Sequence, residues 1–379
     1  MNSKIRGCDV ILENEAIGIY IHFPWCVRKC PYCDFNSHPM EGPIDQKTYV
    51  KRLLNDLDSQ MAQVDRPVGT IYCGGGTPSL FSPESFEKIL SHPALSRAPE
   101  VTLEVNPGAI ERYSFADYRK AGITRASIGV QSFNSKQLVN LGRIHSVNDA
   151  ETAISEALES GLEEVNIDLM YGLPQQTPEQ ALEDLRKAVA LGPSHISWYQ
   201  LTIEPKTVFA RQPPVLPTLD IRADIDETGR EFLQSKQYQR YEISAYAKDG
   251  KVSNHNINYW RFGDYLGIGA GAHGKYKIGT KTIRTEHRRQ PRLYMTDGQP
   301  IRKTVPKEEL PAEFMMNVLR LKNGVENERF LSSTGLPFRI IATKIKELRD
   351  WELIQTNKLS LTEYGYKHID SIVEKFLPN

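Results

Sequence analysis

The chain has 379 residues, 40% of them hydrophobic and 25% charged, enough to bury a large core and outside the range of disordered, collagen-like or disulfide-scaffold proteins. Its 47 Lys+Arg balance 47 Asp+Glu, so no strong net field draws it to nucleic acid or an anionic membrane, although a local basic patch is compatible with that balance. Residues 1–19 carry no basic stretch followed by an apolar run, and no window reaches the roughly 18 apolar residues of a membrane span, which predicts a cytoplasmic chain. Of five cysteines, Cys26, Cys30 and Cys33 crowd into eight positions. Disulfides are awkward there, so a reducing compartment and a metal site fit better. Cys8 and Cys73 have no partner at metal spacing and read as reduced thiols.

After a tail over 1–15, six β-branched or aromatic runs recur: Gly18–His22, Thr70–Cys73, Val101–Val105, Arg125–Val130, Glu164–Leu169 and His195–Leu201. Between them lie apolar residues at helical spacing, such as Tyr49–Leu53–Leu57–Met61 and Ala181–Leu185–Val189. Ser82-Pro83 and Thr177-Pro178 are cap-plus-proline starts, and Gly122 and Gly161 sit where helices should end. Six strand–helix repeats predict a parallel sheet. Six are too few for a closed eight-stranded barrel, so residues 16–205 are expected to form an open or partial one, with function at the carboxyl ends of the strands. Prolines 205, 213, 214 and 217 then break the rhythm. A helix (Asp224–Gln237), a strand (Arg240–Tyr246) and a Gly-rich aromatic stretch (Asn254–Lys275) make 206–305 a barrel extension. Helices at Phe314–Lys322 and Arg339–Arg349, a hairpin over Leu353–Leu361 and a last helix over Glu363–Leu377 predict a small winged-helix-like domain at 306–379.

Directly after the first strand comes Cys26-x3-Cys30-x2-Cys33. Three thiolates from one loop can hold three irons of a [4Fe-4S] cluster and leave the fourth open to a ligand. Zinc completed by His22 or His38, or three cysteines without metal, are the alternatives. After the second strand, Cys73-Gly74-Gly75-Gly76-Thr77-Pro78 lets backbone approach a ligand and offers N–H groups, although an ordinary strand–helix loop reads the same way. Glu104, Gln131, Arg143 and Asp168 follow strands three to five. Taken singly, each fits a strand-end polar residue or a salt bridge.

With Tyr20, His22, Pro24 and the aromatic Tyr32 between the last two cysteines, the loop resembles the radical S-adenosylmethionine (SAM) superfamily. From about residue 16 to the last helix the chain is similar to the oxygen-independent coproporphyrinogen III oxidase family. The resemblance implies an α/β partial (β/α)6 barrel, a [4Fe-4S] cluster on Cys26, Cys30 and Cys33, and one-electron cleavage of SAM fed by an electron donor. Gly75, Gly76 and Thr77 match the segment that holds the methionine end of SAM. Glu104, Gln131, Arg143 and Asp168 match its other binding positions, where a bidentate Arg suits a carboxylate and acids suit hydroxyls. Tyr20 and Tyr32 match contacts to SAM near the cluster. His22 matches a position near the cluster and fits a hydrogen-bonded structural histidine equally well.

Two departures point to a branch. Phe35 stands where the oxidases carry a fourth cysteine, and only about fifteen residues precede the first strand. The segment Asn254-His255-Asn256-Ile257-Asn258-Tyr259-Trp260 contains H-N-x-x-Y-W. All three features resemble the HemW-type haem chaperone branch, which implies haem binding at His255 and delivery to haem-accepting proteins. A loop histidine beside two core aromatics is the competing account of that motif. His273, in the Gly267–Gly274 turn, is left unassigned. A coproporphyrinogen oxidase that decarboxylates two propionates is the alternative function. A zinc-bound nucleic-acid binder, prompted by the tail and Arg284–Arg292, is disfavoured by the balanced charge. Whether SAM is cleaved, and whether cofactor loading brings a homodimer or transient membrane association, stays open at this point.

Overall fold

In the computed structural model, which describes residues 16–108 and 113–378, all six anticipated strands form. Ile17–Phe23, Val68–Gly75, Glu100–Val105, Arg125–Gln131, Glu164–Tyr171 and His195–Gln200 lie side by side in chain order, every neighbouring pair parallel. The tail 1–15, with Cys8, lies outside the described residues. Alternation along each strand sets the two faces. Ile17, Ile19, Ile21 and Phe23 of the first strand are buried in the main apolar core, whereas Gly18, Tyr20 and His22 turn to the concave side. The helices Gln46–Met61, Pro83–Leu90, Phe115–Lys120, Val147–Glu159 and Pro178–Leu191 return the chain between strands. The two anticipated caps are present: Ser82 accepts from the Ser85 N–H, and Thr177 forms a capping box with Gln180, each ahead of a proline.

The sheet is larger than the repeats suggest. Tyr265–Ile268 is a seventh parallel strand on the free side of the first. The antiparallel strands His273–Ile278, Lys281–Glu286 and Ile301–Thr304 follow it. At the opposite edge the continuous strand anticipated over Arg240–Tyr246 is two short ones, Gln239–Arg240 and Ala245–Ala247, paired with each other. Glu242 turns the chain between them, because its Oε1 accepts both the N–H and the hydroxyl of Ser244 at 2.9 Å. Among the described residues the twelve strands of this sheet run in one open order without closure, a partial barrel with a mixed sheet.

Residues Asn254–Trp260 form a helix rather than a loop. Ser253 caps it, and Glu100 accepts the N–H groups of Asn254 and His255 at 3.0 and 2.9 Å, placing a carboxylate at the positive helix end. Beyond 305 a second apolar core gathers Phe314, Met315, Phe330, Ile341, Ile345 and Leu348 from the helices Leu310–Val318, Glu328–Thr334 and Arg339–Asp350. The middle helix is short and Ser-rich, so periodicity does not reveal it. The hairpin survives as a bridge between Ile354 and Leu361, and the last helix is two pieces, Glu363–Tyr366 and Ile369–Glu374. Buried Lys275 ties the two cores, donating to the carbonyl of Phe262 at 3.0 Å and to Asp264 at 2.9 Å.

Candidate functional site

The cysteine loop leaves the first strand through Trp25–Cys26, which pairs with His38–Pro39 to bring the loop back on itself. A turn bond from the Cys33 N–H to the Cys30 carbonyl, 3.2 Å, closes its tip. Segments that follow neighbouring strands hold it in place. Arg28 donates to the carbonyls of Gly142 and Arg143 at 2.5 and 3.1 Å. The Phe209 N–H donates to the Pro31 carbonyl at 3.0 Å, and Asn36 donates to the carbonyl of Ala270 at 2.9 Å. Cys26, Cys30 and Cys33 are free, partly exposed thiols, and Cys73 is a buried one. Burial pushes the Cys26 and Cys33 thiols up, so metal binding there releases protons.

Both ring nitrogens of His22 are engaged. Nε2 donates to the Asn36 carbonyl at 2.9 Å and Nδ1 accepts from the Tyr20 hydroxyl at 3.0 Å. Burial lowers its pKa to about 4 and keeps it neutral. Among the described residues no three His, Cys, Asp or Glu side chains form a site for a single metal ion. The engaged His22 disfavours a closed zinc tetrahedron, which needs a free lone pair from its fourth ligand. Three partly exposed thiols on one pinned loop fit a cluster in which each cysteine holds a separate iron.

The glycine turn behaves differently from the expectation that it offers N–H groups. The N–H of Gly75 donates to Glu104 Oε2 at 3.0 Å. Those of Gly76 and Thr77 donate to the carbonyls of Phe23 and Trp25, each at 2.7 Å. These three donors tie the turn to the third strand, to the end of the first and to the start of the cysteine loop, so what it can offer a ligand is carbonyl oxygen, the acceptor an ammonium group needs. Gly76 is required by that close approach: a Cβ there would lie 2.4 Å from the Trp25 carbonyl oxygen.

The remaining residues converge on the same mouth. Arg143 places Nη1 3.6 Å from Cys30 Sγ, and its Nη2 donates to the carbonyl of Gly129 at 2.6 Å and to Asn106 at 3.2 Å. Its Nε is buried without a partner. Glu104 also accepts from the Tyr72 hydroxyl at 3.0 Å; burial pushes its carboxyl up to about 7, against the pull of the Gly75 N–H. Gln131 takes a left-handed backbone, φ 72°, at a register shift, and its Oε1 accepts from the Tyr199 hydroxyl at 2.7 Å. Asp168 accepts from Ser127 at 2.9 Å and from Asn166 at 2.8 Å, and burial raises its pKa. Tyr20 stacks on Tyr72 at 6.3 Å, and Tyr32 tilts against Phe209 at 6.4 Å. A cation beside one thiol and two shielded carboxylates across the lumen suit a zwitterion with hydroxyls.

His255 is placed elsewhere. It lies beside Gly18 and Thr70, at the start of the first two strands, whereas the cysteines follow their ends. It is 1% exposed. Its Nδ1 bonds Thr70 Oγ1 at 2.8 Å, Nε2 has no partner, and burial pushes its pKa down to about 3. Its ring stacks on Tyr72 at 5.2 Å.

Motif reading missed the lumen itself. His195 donates from Nδ1 to Asn166 at 2.6 Å and accepts from the Tyr241 hydroxyl at 2.8 Å. Asn166 in turn donates to Ser127 at 2.7 Å. Strands covered on both faces are normally apolar throughout. Alternate polar positions, as in Thr70–Tyr72, Arg125–Ser127, Asn166–Asp168 and His195–Ser197–Tyr199, were the available signal of a polar interior.

The profile described as Radical SAM superfamily matches residues 20–188, and that described as HemN C-terminal domain matches 305–366. Fold and cysteine loop together define a radical SAM protein. The chain is 46% identical over 377 residues to the heme chaperone HemW of Escherichia coli (strain K12), spanning 97% of this chain and 100% of that protein. It is 34% identical over 364 residues to that of Bacillus subtilis (strain 168), spanning 91% and 95%. The chain therefore belongs to the HemW family. The solved coproporphyrinogen III oxidase (HemN) from Escherichia coli shares its fold, with a TM-score of 0.78 at 22% identity over 96% of this chain and 90% of that one.

Proposed function

We propose that this chain is a radical-SAM-type haem chaperone, which holds a [4Fe-4S] cluster and SAM, binds haem and passes it to haem-accepting proteins in the cytoplasm. The observation that carries the reading is the three-cysteine loop with the Arg143 guanidinium 3.6 Å from Cys30 and Glu104 and Asp168 across the lumen, in a chain whose relatives bear the name heme chaperone. Cys26, Cys30 and Cys33 would hold the cluster. Arg143 would take the SAM carboxylate, the turn carbonyls and Glu104 its ammonium, and Asp168 a ribose hydroxyl. Reduced, such a cluster supplies one electron to a bound sulfonium, so an electron donor is a required partner. The walls of Tyr20, Tyr32, Tyr72 and Tyr199 keep water from that electron. Phe35, 57% exposed, points to solvent rather than supplying a fourth thiol.

We take 16–205 as the SAM barrel, 206–305 as its extension and 306–379 as the winged-helix-like unit. No helix of the described residues is long and apolar enough to cross a membrane. A homodimer and a transient membrane association on loading belong to the same reading, and sizing and liposome flotation with and without haem test them. The deciding experiment adds haem to anaerobic, cluster-loaded protein and follows its transfer to an apo-acceptor. Haem uptake and transfer without formation of protoporphyrinogen from coproporphyrinogen III is the expected result. Turnover without haem uptake would assign the oxidase activity instead.

A further inference from the structure

His255 is closed inside the lumen, so a flat macrocycle cannot reach its free Nε2 without the helix Asn254–Trp260 moving away. A second place on the molecule is open. A cavity of about 490 Å³ lies on the C-terminal helices, with Leu336, Ile341 and Phe376 as its floor and the half-exposed Ile340 and Leu377 as its walls. Lys307 and Lys344 stand on its rim with Glu308. We propose that this cavity is a haem-docking site, which holds the porphyrin by its apolar face and its propionates rather than through iron. The inference rests on the chaperone reading above and adds where the cargo sits.

The volume falls within the range of about 300–1,000 Å³ usual for small-molecule sites. Apolar side chains left half exposed on a concave surface are a recognised mark of a binding site. Charge selects the occupant. Lys344 donates one ammonium proton to the Lys375 carbonyl at 2.6 Å, which fixes the charge at the rim and leaves two protons to donate. With Glu308 the rim carries one net positive charge, and an apolar disc bearing two neighbouring carboxylates complements it. Among the described residues no histidine or cysteine lines the cavity, so no imidazole or thiolate iron ligand is part of the site.

The test titrates the full, cluster-loaded chain anaerobically with haem and with metal-free protoporphyrin IX. Four forms are compared: the natural sequence, the pair Lys307→Glu/Lys344→Glu, Ile340→Asp, and His255→Ala. Lys307 and Ile340 are exposed, and melting curves check that each variant folds. Both porphyrins should bind with similar affinity. The double reversal and Ile340→Asp should each weaken binding by about tenfold or more, from two exposed charge contacts or one apolar wall, and His255→Ala should leave it unchanged. Binding of the iron porphyrin alone, abolished by His255→Ala, would overturn the site while leaving the chaperone reading intact. Unaltered binding in both cavity variants would do the same. No uptake by the natural sequence would overturn both. Intact porphyrin binding in Ile340→Asp with loss of transfer to the acceptor would make the cavity a protein-docking surface and overturn the proposal.

Discussion

Substituting Gly76 by Ala tests how the glycine turn supports the cysteine loop. The added Cβ would lie 2.4 Å from the Trp25 carbonyl oxygen, 2.8 Å from its carbon and 2.9 Å from the Phe23 carbonyl oxygen. All three are backbone atoms, so no rotamer change relieves the clash; the Trp25 carbonyl must retreat by more than about half an ångström to reach ordinary contact. Overpacking of this kind costs about 1–3 kcal/mol. The two 2.7 Å bonds from Gly76 and Thr77 to the carbonyls of Phe23 and Trp25 are strained with it, at about 1 kcal/mol each. Against about 10 kcal/mol, the middle of the usual range for a domain, a loss of about 3–5 kcal/mol leaves the variant folded with a lower melting temperature. Trp25 leads directly into Cys26, so the displacement reaches the first thiol. Anaerobic reconstitution should then give well under half the iron of the natural chain, while the variant's circular dichroism stays native. Full iron content at unchanged melting temperature would refute the argument that strand-to-turn contact sets the loop.

Glu104, raised by burial to about 7, should make SAM affinity climb as pH rises through about 7, and Glu104→Gln should flatten that profile in equilibrium dialysis. The ligand-free protein should lose stability as pH rises from about 4.5 to about 7 and then level off, because over that window the folded state keeps a proton that the unfolded chain has released; Glu104→Gln removes this slope. Arg143→Lys cannot reproduce the fork that reaches Gly129, Asn106 and Cys30 together, so SAM affinity should fall by about tenfold with iron content retained. Lys275→Met leaves Asp264 with Arg66 as its remaining cation and should cost about 3 kcal/mol in urea unfolding.

The six core strands were legible because each is a short β-branched run bounded by helical periodicity and Gly or Pro punctuation. The cysteine loop was legible because its spacing is local. What failed to show was set by contacts distant in sequence. The helix Asn254–Trp260 exists in a sequence of Asn, His and aromatics because Glu100, more than 150 positions earlier, holds its first N–H groups. The break in Arg240–Tyr246 falls at Glu242, which bridges to Leu321 and accepts from the Arg320 guanidinium at 3.5 Å, both far along the chain. The turn at Gly75–Thr77 was read as a donor surface, and only the approach of Phe23, Trp25 and Glu104 shows those donors engaged. His255 carries a motif read as haem-binding or as a loop histidine beside core aromatics; its burial follows from the Gly18 gap and the Tyr72 ring that receive it, neither of which lies near it in the chain.

The most direct test of the cluster-and-SAM site is iron and sulfide content with the electron paramagnetic resonance spectrum of the reduced protein, before and after SAM is added. About four irons and four sulfides per chain are predicted, with a spectrum that changes on SAM addition in the natural protein and in Cys73→Ser, and no such centre in Cys30→Ser. Zinc in place of iron, or a cluster that survives Cys30→Ser and ignores SAM, would contradict the account.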